Sequence, residues 1–304
     1  MQILLCLVFL SELERFYIMM EQNVGIVLEG GAMRNVFSAG VLDFFLDKKI
    51  EIPNILAISA GAYVAMNYVS EQKERVLKSL VEPLEEYKFL GVGAFFKTGT
   101  FFDMDYLFDR VPREKSPYHF DKLKNFKGRF ITSTVDMLTG EAIYHEGFQE
   151  EERFYQIMKV ANSLPFAAKV SEVDGRPMLD GGMADAIPIA KALEEGWEKI
   201  IVILTRDAAY RKKVRRPLYQ KLIAMVYRKY PKFVELVAGR GQKYNDTLEQ
   251  INALEQEGRA FVFRPSKMTV KTSESDVRTL KEYYKYGYEC AKERYEELLE
   301  FLRR

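Results

Sequence analysis

The chain has 304 residues, 48% hydrophobic and 29% charged, with a formal net charge of +1. That length suits one large α/β domain, or one domain with an appendage, and the composition excludes a disordered or low-complexity chain. Near-neutral charge removes any global argument for a nucleic-acid or membrane partner, so only local clusters can make one.

The first residues, MQILLCLVFLSELERFYIMMEQN, carry an apolar run at 3–10. A membrane span needs about 20 residues, so this run is too short. It resembles the apolar part of a secretory signal, but no Lys or Arg precedes it and no small-x-small cleavage site follows. Met19 and Met20 stand just before the first clear strand. Residues 1–19 therefore read as an upstream mis-start or a loose appendage, with an interfacial helix or a secretion signal as alternatives. No other stretch is apolar for long enough to cross a bilayer. The body is expected to be soluble and cytoplasmic. The two cysteines, Cys6 and Cys290, form no C-x-x-C and no Cys/His cluster, so no metal is expected and a reducing compartment fits.

From residue 24 the chain alternates. VGIVLEGG (24–31) reads as a buried strand running into a glycine turn, and SAGVLDFFLDKK as a helix. NILAI is a second strand and AGAYVAMNYVS a second helix, with helical periodicity continuing over 71–90. Residues 128–145 read as two strands around a turn at 138–140. A helix follows and stops at Pro165. RPMLDGG is a short strand into another glycine turn, IPIAKALEEGW a helix, and KIIVILT a strand. This order predicts an α/β fold: three layers, α/β/α, around a mostly parallel central sheet.

After Thr205 the texture changes. The run 206–232, from Arg206 to Lys232, holds ten Lys or Arg and one acid, Asp207. A helical stretch to about 257, a strand RAFVFRP and a charged helix to the end follow. The strand is expected to join the same sheet. The division is then 1–19, a catalytic domain at 20–207, and a mostly helical C-terminal elaboration at 208–304 with one strand.

Three short motifs carry chemistry. The first is Ser59, at the junction of the second strand and its helix. Ala57, Ala60 and Gly61 around it are small. A serine on such a sharp turn is held out at the carboxyl end of the sheet, where open α/β folds bind ligands. The new helix offers its N-terminal N–H groups to a developing oxyanion. The same pattern also serves as a plain N-cap. A nucleophilic serine needs a base, and His119 and His145 are the only histidines. Neither follows the DGG turn, and nothing around either reads as a site, although a triad through one of them stays open. A carboxylate is the alternative base. The second motif supplies it: Asp180 stands at a strand end, before Gly181 and Gly182, where an aspartate also commonly makes a simple turn. The third is EGGAMRN at 29–35, whose consecutive small residues, with Arg34 beside them, can gather backbone N–H groups around one anion. Neither G-x-G-x-x-G nor a Walker A loop is present.

Taken in this order and spacing, the three motifs resemble the patatin-like phospholipases over about 24–205. That family reads G-G-G-x-R-G, G-x-S-x-G and D-G-G or D-G-A. Here the same positions are Gly30-Gly31-Ala32-Met33-Arg34-Asn35, Ala57-Ile58-Ser59-Ala60-Gly61 and Asp180-Gly181-Gly182. The tail resembles that of a bacterial branch with an extra C-terminal region. The resemblance implies a serine lipid acyl hydrolase of phospholipase A, lysophospholipase or carboxylester hydrolase type. It implies a Ser59–Asp180 dyad and an oxyanion hole at Gly30, Gly31, Ala32 and Arg34, with no cofactor. Three glycines of the pattern are replaced, by Ala32, Asn35 and Ala57. Asn tolerates a left-handed backbone, so the loop is expected to keep its shape through Asn35.

Two stretches bear on the substrate. FLGVGAFFKTGTFFDMDYLF (89–108) suits an acyl pocket or lid, and equally core packing. The basic run 206–232, with Tyr210, Tyr219, Leu222, Ile223 and Val226 interleaved, suits peripheral contact with an anionic membrane, or a solvated helix face; nucleic acid is not expected. Other classes remain: a catalytically weak lipid-binding or regulatory protein of the same fold, and a nucleotide-binding α/β protein using 29–35 as a phosphate nest.

Overall fold

In the computed structural model the described residues are 23–213 and 217–304. The expectations for residues 1–19, and for Arg215 and Arg216 of the basic run, lie outside them.

Five strands run parallel. They are β1 (Val24–Leu28), β2 (Asn54–Ala57), the first part of β3 (Arg129–Asp136), β7 (Lys199–Ile203) and β8 (Ala260–Phe263). The sheet order is β5-β6-β3-β2-β1-β7-β8, with β4 (Ala142–His145) on β3. β1, β2 and β8 are buried at every position, as expected of strands covered on both faces. Alternate residues face the two sides. Ile26, Ile55, Ile201 and Phe263 join one core, and Val27, Leu56, Val202 and Val262 the other. Helices α1 (Val36–Lys48) and α2 (Ala60–Val69) lie on the first side. These are the three layers that the alternating pattern predicts.

Differences from the sequence reading have local causes. The stretch 71–90 is broken into a π-turn (Leu77–Val81) and a four-residue helix (Pro83–Glu86). Glu71 and Glu74 take positive φ, and Pro83 cannot donate to a continuing helix. A hairpin of β5 (Ser171–Val173) and β6 (Arg176–Asp180) was not foreseen at 171–175. Asp174 and Gly175, at φ 53° and 72°, form its two-residue turn. β6 therefore runs antiparallel to β3, and Asp180 arrives from the direction opposite to the parallel strands. It still reaches the right level. Leu56 faces Ile131 on β3, three residues before Ser59, and Asp180 faces Thr134, three residues past Ile131.

The C-terminal third completes the sheet and both helix layers. β8 pairs with β7. Helix α3 (Pro231–Gln256) covers one face through Tyr244, Leu248, Ile251 and Leu254. Helix α4 (Val277–Glu293) packs on α1 with the two backbones in direct contact. A Cβ on Gly40 would fall 2.0 Å from Tyr284 O, and one on Gly287 2.0 Å from Phe37 O. The final helix, Tyr295–Arg303, closes the bottom of that layer.

Candidate active site

Ser59 occupies the elbow between β2 and α2 at φ 56°, ψ −132°, a backbone conformation that non-glycine residues rarely adopt. The surroundings need to be small. A Cβ on Gly61 would sit 2.8 Å from Glu29 O, and one on Gly30 would sit 3.0 Å from Ser59 Cβ. Ala57 is fully buried. Ser59 makes no capping bond to α2. Instead its hydroxyl donates to Asp180 Oδ2 at 2.5 Å.

Asp180 is wholly buried, and its Oδ1 accepts the Gly182 N–H at 2.7 Å. Gly182 O in turn accepts Arg240 Nε at 2.7 Å. Burial pushes the Asp180 carboxyl up to about 6, against the hydrogen bonds from Ser59 and Gly182 and the charge of Arg240. Gly181 and Gly182 do not turn the chain through positive φ; Gly181 is packed so closely on Ser133 that a Cβ would meet its Oγ at 2.1 Å. The histidines are elsewhere. His145 shares a 2.8 Å hydrogen bond with Thr134 Oγ1, and burial pushes its ring down to about 4. His119 is exposed.

The glycine loop reaches its shape by another route than the one expected. Asn35 has ordinary helical angles at the start of α1, and Ala32 takes the left-handed conformation at φ 50°. The buried Asn35 amide braces the loop: assigned by its neighbours, its carbonyl faces the Gly31 N–H donor at 2.7 Å and its amino group the Glu29 O acceptor at 3.0 Å. Gly30 N–H makes a long 3.4 Å contact with Ala186 O. Among the described residues, the N–H groups of Ala32 and Ala60 have no acceptor within the chain, and both residues border the cavity beside Ser59.

Ser59 lies where two hollows meet. One is a narrow apolar pocket lined by Met33, Tyr63, Phe102, Leu107 and Phe108. The other is an open cleft of about 960 Å³, whose wall carries Arg34, Arg206, Arg211, Lys212, Lys213 and Arg240. The aromatic stretch 89–108 divides between core, pocket wall and surface. Phe89 and Phe108 are buried, Phe102 lines the pocket, and Phe95, Phe96 and Phe101 are exposed.

Several residues of the site escaped the sequence reading. Glu29, 2% exposed, accepts from Thr205 N at 2.6 Å, Thr205 Oγ1 at 3.0 Å and Tyr244 OH at 2.7 Å. A lone carboxylate closing an all-apolar strand was the available signal. Arg240 and Tyr244 sit in a long charged helix, and nothing in their local sequence marks them. Among the described residues no cluster of three His, Cys, Asp or Glu could hold a metal, and no helix is long and apolar enough to cross a membrane.

The family model for patatin-like phospholipase matches residues 26–193, and one for a domain of unknown function matches 230–303. Among curated proteins, "Uncharacterized protein YjjU" of Escherichia coli K12 is 22% identical over 290 residues, covering 89% of this chain and 76% of that protein. Among solved structures, VipD from Legionella pneumophila matches with a TM-score of 0.43 and 12% identity; the match covers 90% of this chain, which spans 66% of that one.

Proposed function

The chain belongs to the patatin-like phospholipase family, and on that premise we propose that it is a serine lipid acyl hydrolase working through Ser59 and Asp180. Membership supports lipid acyl hydrolysis at the level of the family. The observation that carries the finer reading is the 2.5 Å hydrogen bond from the Ser59 hydroxyl to a fully buried carboxylate.

Asp180 Oδ2 accepts the Ser59 proton directly as Oγ attacks the ester carbonyl carbon. The carbonyl electrons move to oxygen. That oxyanion is held by the N–H groups of Ala32 and Ala60 and by the positive end of α2. The intermediate collapses, the ester C–O bond breaks, and Asp180 returns the proton to the leaving alcohol. Water, deprotonated by the same carboxylate, then attacks the acyl-Ser59 ester; the bond to Oγ breaks, Asp180 returns that proton to Ser59 Oγ, and the fatty acid leaves. The raised basicity of Asp180 makes it a better base than an ordinary aspartate. The acyl chain occupies the apolar pocket at Phe102, Leu107 and Phe108.

The same reading includes work at a lipid surface. Val92, Phe95, Phe96 and Phe101 are exposed in and just after the short helix Val92–Thr98, as are Leu218, Leu222, Met225 and Val226 on helix Pro217–Val226. One segment links the two groups beside the cleft: Ala167 O accepts Phe102 N–H at 3.2 Å, and the Phe166 ring contacts Tyr219 and Tyr227. Apolar rims of this kind, with Lys221, Arg228 and Lys229 nearby in sequence, suit peripheral contact with an anionic membrane.

The direct test is release of fatty acid from micellar lysophospholipid and phospholipid. Wild type hydrolyses at least one of them, and Ser59→Ala falls by about 10³ or more. Absence of hydrolysis across such a screen by folded wild type would count against the enzyme reading.

A further inference from the structure

The guanidinium of Arg34 is in an unusual position. The residue is 7% exposed and lines the cleft beside Ser59. Among the described residues its guanidinium makes no hydrogen bond and no ion pair, and its Nε is buried without a partner. A buried guanidinium ordinarily demands a carboxylate or phosphate, since its desolvation is otherwise uncompensated. Glu29 is near, but its Oε1 is taken by Tyr244 and its Oε2 by Thr205. The charge that acts on it most strongly is a second cation. Burial and then the charge of Arg206 pull the Arg34 guanidinium below its ordinary basicity. Arg206 is itself held in place over the Tyr210 ring at 4.2 Å, and it too has no ion pair among the described residues. Two guanidinium groups without counter-ions, in one cleft, leave a gap in charge that a bound anion would fill.

The rest of the wall agrees. Lys212, Lys213 and Arg240 add positive charge, Arg211 is partly offset by Glu249 at 2.9 Å, and the acids lining the cleft are Glu29 and Asp180. On the other side of Ser59 lies the apolar pocket. An ester bond placed at Ser59 would therefore have its acyl chain on one side and a strongly basic wall on the other.

We propose that the Arg34–Arg206 wall is a binding site for a phosphate group, and that the esters cleaved are those of lipids whose headgroup carries net negative charge and ends in phosphate. A zwitterionic headgroup would bring its ammonium against the same cations, and a neutral glyceride would leave them unpaired. Guanidinium groups suit a terminal phosphate because each can donate two parallel hydrogen bonds to it. Arg206 and Arg240 lie outside residues 26–193, so the headgroup preference is supplied in part by the segment after the family match. The headgroup half rests on the acyl-hydrolase reading; the anion site does not.

The test uses binding, so that it does not depend on turnover. Full-length Ser59→Ala is titrated calorimetrically with inorganic phosphate at constant ionic strength. It is then titrated with neutral-detergent micelles holding either phosphatidate or phosphatidylcholine of the same acyl chains. Phosphate is expected to bind, phosphatidate micelles to bind at least tenfold more tightly than phosphatidylcholine micelles, and phosphate to compete with them. Adding Arg206→Gln weakens both interactions about tenfold, and Arg206→Lys restores part of the loss. Circular dichroism and the thermal midpoint check that the variants are folded. Failure of phosphate to bind, or equal affinity with and without Arg206, overturns the anion site. Phosphate that binds without competing, or micelles bound equally, overturns the headgroup assignment and leaves a site for free phosphate. Intact phosphatidate binding in a wild type that hydrolyses nothing would fall on the acyl-hydrolase reading alone.

Discussion

Ser59 at φ 56° and Ala32 at φ 50° are non-glycine residues in the region glycine prefers, and both sit within one cavity. Such strain is held only where the surrounding packing imposes it, and it gathers at working sites. Asp180 shows the same trade in charge. Its carboxyl, at about 6, is above the ordinary 3.8, so between those values the folded chain holds more protons than the unfolded one and stability falls as pH rises. At neutral pH the ionised Asp180 then costs about 3 kcal/mol. Asp180→Asn is predicted to raise the thermal midpoint at pH 7, with the gain over wild type shrinking toward pH 4. Hydrolysis by wild type should rise with pH through about 6 and then level, since the base must be unprotonated. A flat rate from pH 5 to 8, with no stabilisation by Asn, would contradict this account of the carboxylate.

At the scale of elements, the strands were legible because each is a short apolar run bounded by turns, and β1, β2, β7 and β8 stand within a residue or two of where the pattern puts them. The elbow was legible for a steric reason, since Gly61 has Leu28 and Glu29 O too close for a side chain and Gly30 lies against Ser59 Cβ. The direction of β6 was not. It depends on the two-residue Asp174–Gly175 turn, a signal present in the sequence but overshadowed by the DGG motif after it. The contact of α1 with α4 was also hidden, because Gly40 and Gly287 are far apart in the chain and a helical glycine alone names no partner. Their backbones touch, so Gly40→Ala should clash despite better helix propensity. The expected loss is about 2 kcal/mol or more, lowering the midpoint by roughly 4 °C or more. An unchanged or higher midpoint would show that the two helices can move apart at little cost.

For the whole molecule, the C-terminal third is part of the site rather than an attachment to it. β8 closes the sheet edge, Tyr244 holds Glu29 behind the glycine loop, and Arg240 holds Gly182 beside Asp180. The place of β8 in the sheet was legible as an apolar strand, but the Tyr244 and Arg240 contacts are not written in local pattern, which is why a sequence reading stops at "elaboration". The basic run divides in the fold. Arg206, Arg211, Lys212 and Lys213 line the cleft, whereas helix Pro217–Val226 exposes an apolar face. With Phe96 at 83% and Leu218 at 78% exposure, both can be changed without touching the core. Phe96→Asp with Leu218→Asp should cut co-sedimentation with anionic vesicles several-fold while the midpoint stays put. Equal sedimentation would remove these two faces as the contact.

The central claim is that Ser59 is an activated nucleophile. Reaction with a fluorophosphonate probe, followed by mass-spectrometric location of the adduct, tests it most directly. The adduct is predicted on Ser59, absent in Ser59→Ala, and formed about 10² times more slowly or worse in Asp180→Asn. A folded wild type that takes no label, or takes it at another residue, would contradict the assignment.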